Sequence, residues 1–214
     1  MNKQLAVFLL TPLLSFATLY AQELPPADST AHTTRLFAFE ELGFSIEIPA
    51  HWYVVQDTAN RQLMEQVRQL MTGGEEELLG QFGQMEKRET YLLTAFEQNP
   101  RKLHQAYNAS IAITTEDLSD LPEITDAQVY LARSMQTLQQ SKLDYRISGP
   151  VKVYMYSGQH LYARKVHLHY GGSQIKQVYY TTFIGRKALN VVISYLSEAQ
   201  RHSLETVLRS LVFR

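Results

Sequence analysis

Residues Val151–Arg214 read VKVYMYSGQHLYARKVHLHYGGSQIKQVYYTTFIGRKALNVVISYLSEAQRHSLETVLRSLVFR. Four runs rich in β-branched and aromatic residues are divided by Gly158, by Gly171-Gly172-Ser173 and by Gly185-Arg186-Lys187. Short glycine-containing breaks between such runs are hairpin signals, because glycine reaches positive φ without a steric cost. Successive hairpins predict an antiparallel meander. Inside the runs the period is two: Val151, Val153 and Met155 alternate with Lys152, Tyr154 and Tyr156. The run from Ala188 to Leu196 is apolar on parts of both faces, which predicts a central strand covered on both sides. Ser197 followed by Gln200 has capping-box spacing. Leu204, Val207, Leu208 and Leu211 then recur at helical spacing, so a closing helix lays one apolar face on the sheet.

Working outward, Thr125-Asp-Ala-Gln128 is a second capping-box pattern and opens a helix to about Lys142, with Leu131, Met135 and Leu138 inward. Ala109, Ile111 and Ile113 mark a strand, followed by an acidic loop from Glu116 to Glu123. Gly43–Pro49 alternates as a half-buried strand, and His51–Gln56 resumes as a second, expected to pair with it across a tight turn. Thr58–Met71 and Glu75–Glu97 both carry helical stripes separated by Gly73-Gly74. The second stripe is Leu78, Phe82, Met85, Leu92 and Phe96. The expectation is a helical hairpin inserted over residues 58–100, its stripe serving as core rather than as a ligand grip.

The chain opens with a basic lead at Lys3, an apolar run from Leu5 to Leu19 and a small residue at Ala21. Residues 1–21 have the form of a cleaved secretory signal, and the run is shorter than the roughly 20 apolar residues of a bilayer span. Residues 22–36, which contain Pro, Ser and Thr and little apolar content, read as a flexible lead to a single domain over 37–214. The expected address is periplasmic or secreted. With no cysteine, disulfides, thiol chemistry and cysteine-linked lipidation are excluded. Twenty Lys and Arg against 21 Asp and Glu leave no basic stripe of the kind nucleic-acid binding needs.

FSIEIPAHWYVV, NASIAIT, IKQVYYTTFIGRKALNVVISY and the tail SLVFR, taken in that order, resemble the PsbP-like family. The resemblance covers about Phe39 to Arg214, with the strand-ending Pro49, the nearby Trp52, the hairpin Tyr179–Tyr195 and the tail Ser210–Phe213 as its marks. It implies an α+β fold with an antiparallel sheet flanked by helices. It also implies mostly non-enzymatic roles, since the family includes photosystem subunits, a nuclear Ran-binding protein and bacterial envelope proteins. Such a spread fixes no function.

Three groups of residues invite a chemical reading. His167 and His169 lie two apart on a strand and face the same way, with His160 a third candidate metal ligand; the plainer reading is a pair of solvent-facing histidines. Tyr154, Tyr156, Tyr162, Tyr170, Tyr179 and Tyr180 offer a tyrosine-rich interface, although tyrosine is also a good strand residue. Trp52 and Tyr53 offer a stacking surface, against a plainer role in the core. Nucleophile-elbow, zincin, phosphate-loop and dinucleotide signatures do not occur, and no cofactor is expected. The expected role is a non-enzymatic binding or accessory protein of the bacterial cell envelope, partnered by another envelope protein or a small ligand. The alternative is a small-ligand or metal carrier using the helical insertion or the His167/His169 strand.

Overall fold

A computed structural model of the chain describes residues 33–55, 65, 67–100 and 107–214. The region read as a signal lies outside them. Among the described residues the elements follow in this order: β1 Thr34–Phe39, β2 Phe44–Pro49, β3 Tyr53–Val54, α1 Glu76–Glu86, β4 Glu89–Phe96, β5 Ser110–Asp117, α2 Ala127–Gln140, β6 Asp144–Tyr156, β7 Gln159–Tyr170, β8 Ser173–Ile184, β9 Lys187–Tyr195, α3 Glu198–Arg209 and β10 Val212–Phe213. Residues 67–72 are also helical.

The meander forms as its glycines require. β6, β7, β8 and β9 pair antiparallel in sequence, and β9 then pairs with β5, so the seven-stranded order is β3-β4-β5-β9-β8-β7-β6. The β6–β7 turn is Ser157-Gly158, both at positive φ (45° and 82°). A serine held left-handed costs about 1 kcal/mol that glycine does not incur. Ser157→Gly should therefore stabilise the protein by about 0.5–1 kcal/mol, read as a raised urea midpoint with unchanged slope; a lowered midpoint would contradict it.

Strand alternation sorts the core into two. One face of the large sheet packs Val166, Leu168, Ile175 and Tyr179 against Leu131, Met135 and Leu138 of α2. The other packs Ile111, Ile113, Val191 and Ile193 against Leu204, Val207 and Leu208 of α3 and Phe44, Ile46 and Ile48 of β2. Ser197 and Gln200 cap α3 reciprocally, as their spacing predicts. β2 belongs to a separate sheet, β1-β2-β10, so the C-terminal strand returns to the first described segment. The Arg214 amide donates to the Gly43 carbonyl at 2.8 Å, and the Ser210 hydroxyl accepts from the Glu47 amide at 2.9 Å.

The structure departs from the sequence pattern in several places. The helix expected to reach Glu97 stops at Glu86, and Glu89–Phe96 is strand β4. Leu92 and Phe96 stand four apart and mimic a helical stripe. The alternation of Leu93 and Ala95, paired in register with Ile113 and Ile111 of β5, prevails, and Leu92 falls at a register shift. The 58–100 region is therefore not wholly helical. Thr34 to Leu36 belong to β1 rather than to a lead. The segment after Pro49 turns through a Trp52 amide to Pro49 carbonyl bond of 3.0 Å. Its short strand β3 then joins β4 in the large sheet instead of pairing with β2. Helix α2 is capped by Asp126, which accepts from the Val129 amide, one residue later than the Thr125 pattern implied. Residues 144–150 are strand, so β6 runs 13 residues.

Candidate functional site

The strands β6, β7 and β8 form one side of the large sheet, and the candidate site lies midway along them. β6 is the last strand of the sheet. Its pairing with β7 slips between Ser148 and Lys152: Ser148 opposes Lys165, and Lys152 opposes Ala163. Gly149, Pro150 and Val151 thus stand against Arg164 alone. Gly149 takes φ +67°, and Pro150 cannot donate to a ladder, so the chain bulges outward. The bulge opens a cavity of about 260 Å³ between Ser148, Lys152, Tyr154, Ala163, Lys165 and Val178.

The two faces of these strands differ in charge. Towards α2 stand Tyr145, Val166, Leu168 and Ile175, all buried. On the opposite face the register brings Arg146, His167 and Lys176 into one row across three strands, with Lys165 and Lys152 beyond. The one carboxylate on that strand surface is Asp144, held by Arg146 at 3.2 Å and lying 3.4 Å from His169 Nδ1. Lys176 pairs with Glu198 of α3 at 3.3 Å. The neighbouring imidazole reports the crowding: His167 sits below its usual range, first through burial, then through His169, Lys176 and Lys165.

His167 and His169 do share this face. The ring nitrogens of His169 already face Asp144 and, at 3.0 Å, the Gln174 amide. His160 stands seven residues from His167, hence on the other face, opposite Met155 near the turn. Among the described residues no group of three or more His, Asp or Glu is placed to hold a metal ion. The tyrosines also divide. Tyr154, Tyr156 and Tyr180 cluster on the basic face, with Tyr154 edge-on to Tyr180 at 5.6 Å and stacked towards Tyr156 at 6.5 Å. Tyr162, Tyr170 and Tyr179 lie on the α2 face. Tyr179 and Tyr180 are buried, and the other four are half-buried. Trp52 is in the core, and Tyr53 is half-buried at its margin. Of the expected helical stripe, Leu78 and Phe96 pack on the α2 side and Leu92 on the other, while the Phe82 and Met85 side chains lie outside the description.

Two features escaped the sequence reading. One is the bulge, whose signal was Ser148-Gly149-Pro150 inside a strand pattern. The other is a buried polar chain. Tyr130 donates to Glu116 at 2.7 Å, Asn190 donates to Tyr130 at 3.1 Å, and Thr181 donates to Asn190 at 2.7 Å. Glu116 continues the Ala112–Thr114 face of β5 and so enters the core instead of starting a loop. Burial raises its carboxyl to about 7, against the opposing pull of Tyr130 and of Arg88, whose Nε is 3.4 Å away. A second, polar cavity of about 390 Å³ lies at that end of the sheet, between Lys87, Arg88, Lys187, Asp117 and Asp120.

No family model matches the sequence, and no curated protein matches it. Solved structures do. The cyanobacterial PsbP (CyanoP) of Synechocystis sp. PCC 6803 is similar at TM-score 0.53 and 13% identity, over 89% of this chain and 99% of that one. LpqN of Mycobacterium tuberculosis, described as involved in cell envelope biogenesis, is similar at TM-score 0.45 and 8% identity, over 79% of this chain and 82% of that one. PA94 of Pseudomonas aeruginosa, a protein of unknown function described as a putative regulator, is similar at TM-score 0.42 and 12% identity, over 86% and 99%. The strand order, the two flanking helices and the first of these likenesses together identify the fold as PsbP-like.

Proposed function

We propose that this chain is a non-enzymatic binding or accessory protein of the bacterial cell envelope, engaging a protein partner through the free edge of β6. The observation that carries this reading is the exposure of Val153 (54%) and Met155 (66%) on that edge strand. Edge strands carry unpaired backbone donors and acceptors, and proteins protect them with prolines, lysines, bulges or shortness. Here Pro150, Lys152 and the bulge interrupt the first part of β6. The stretch from Val153 to Tyr156 has no such guard and adds apolar side chains to an open ladder. A partner strand laid there gains backbone hydrogen bonds and covers both residues.

The envelope address rests on the signal-like form of residues 1–21. No helix among the described residues is long and apolar enough to cross a membrane. The absence of catalysis is supported by where the most perturbed carboxyl sits. Glu116 is 2% exposed and its partner Tyr130 fully buried, a placement that offers a substrate no surface. Purification from the native host followed by native mass spectrometry tests the proposal. A co-purifying protein is expected with the wild type and lost from a Val153→Lys, Met155→Glu variant of unchanged melting temperature. Retention of the partner by that variant, or its absence from the wild type, would refute the edge as the docking site.

A further inference from the structure

We propose that the cavity beneath the β6 bulge binds a phosphomonoester carrying an apolar or aromatic body, the phosphate lying between Lys152 and Lys165. The site is separate from the backbone edge described above: it opens on the strand surface and does not require a partner strand.

Three observations converge on it. The first is shape. Three residues opposite one lift β6 away from β7 and leave about 260 Å³ in the sheet surface. Ligand pockets of drug size measure roughly 300–1,000 Å³, so this one suits a head group with a ring or short chain. The second is charge. Four basic side chains, Arg146, Lys152, Lys165 and Lys176, share this strand surface with one carboxylate, Asp144. Arg146 and Lys176 are already paired, to Asp144 and Glu198. Lys152 and Lys165 are the two that rim the cavity, and neither has a salt bridge among the described residues. Like charges on neighbouring strands repel, and a dianion between them removes that cost while accepting from both ammonium groups. The third is the floor. Ala163 and Val178 are buried, and Tyr154 is held on edge by Tyr180, which presents an apolar, aromatic base to the body of the ligand. The Ser148 hydroxyl on the rim adds a neutral donor.

Phosphate monoesters reach such a site from two sources, soluble metabolites and the head group of phosphatidic acid. Isothermal titration with inorganic phosphate and with phenyl phosphate, and sedimentation with phosphatidylcholine vesicles with and without phosphatidic acid, separate them. Phenyl phosphate is expected to bind more tightly than inorganic phosphate. Lys152→Gln with Lys165→Gln should weaken it by at least about tenfold, two charge-assisted contacts being lost. Lys87→Gln, in the other polar cavity, should leave it unchanged. Vesicle binding with the same lysine dependence identifies the lipid source, and soluble binding alone identifies the metabolite. The inference is overturned if the double variant binds as the wild type does, if inorganic phosphate binds as well as phenyl phosphate, or if neither phenyl phosphate nor the acidic vesicles bind. Both lysines are solvent-exposed, and either single substitution serves should the double variant not fold.

Discussion

Glu116→Gln is expected to abolish most of a pH dependence of stability that the wild type shows between about pH 5 and about pH 8. The carboxyl stands at about 7 in the folded protein against 4.5 for the free group, with burial as the first cause. A carboxyl raised on folding binds its proton more tightly in the native state. Its contribution is therefore fully present below the unfolded value near 4.5 and is lost as pH rises through about 7. A shift of that size corresponds to about 3 kcal/mol. Glutamine keeps an acceptor for the Tyr130 hydroxyl and carries no charge at any pH, so the variant should lose this fall in stability and keep only the shallow opposite slope that the lowered His167 imposes below about pH 6.5. Urea unfolding at a series of pH values measures both curves. A wild type that is level, or one that gains stability through this range with the variant following it, would disprove the assignment. The same network predicts cooperativity, since the proton on Glu116 sits on a chain that continues through Tyr130 and Asn190 to Thr181.

Arg186→Ala is expected to destabilise the protein by about 2 kcal/mol, although Arg186 is exposed at a hairpin turn. Its guanidinium donates to the carbonyls of Leu118, Leu121 and Ile124, and its own carbonyl accepts from the Leu118 amide at 2.9 Å. The β8–β9 turn thereby holds the loop between β5 and α2, whose Leu118, Leu121 and Ile124 side chains are buried beside Tyr130. Alanine leaves those carbonyls to water and frees the loop. Lysine should restore little, because one ammonium cannot span three carbonyls as a planar guanidinium does. Chemical denaturation of both variants decides it: a loss near zero for alanine, or full rescue by lysine, would show that the loop is held by its buried side chains alone.

Neither Glu116 nor Arg186 carries a functional mark in the sequence. By sequence Glu116 opens an acidic loop, because Asp117, Asp120 and Glu123 follow it. Its burial follows from β5 continuing to Asp117, and that continuation depends on β9 pairing alongside as far as Lys187. Arg186 was turn punctuation, and what it holds lies more than 60 residues earlier in the chain. The histidines show the reverse case. Strand periodicity placed His167 and His169 on one face correctly, and the same parity puts His160 on the other. The six tyrosines separate for the same reason: the bulge adds two residues to β6, an even number, so Tyr154 and Tyr156 stay in phase with Arg146 and on the face of Tyr180.

What the sequence determined by itself was local. Glycine turns, period-two alternation and the Ser197–Gln200 cap specify the four-strand meander and the closing helix, because turn geometry and capping are settled within a few residues. The family likeness in motif order followed from those same elements. Only the tertiary structure decided which strands become neighbours across distance: β9 beside β5, β10 beside β2, and β3 in the large sheet instead of with β2. It also turned the segment after Glu86 from helix to strand. In each of these cases the local pattern is compatible with more than one structure. The choice fell to backbone ladders and buried faces supplied by residues far along the chain, which no window of sequence contains.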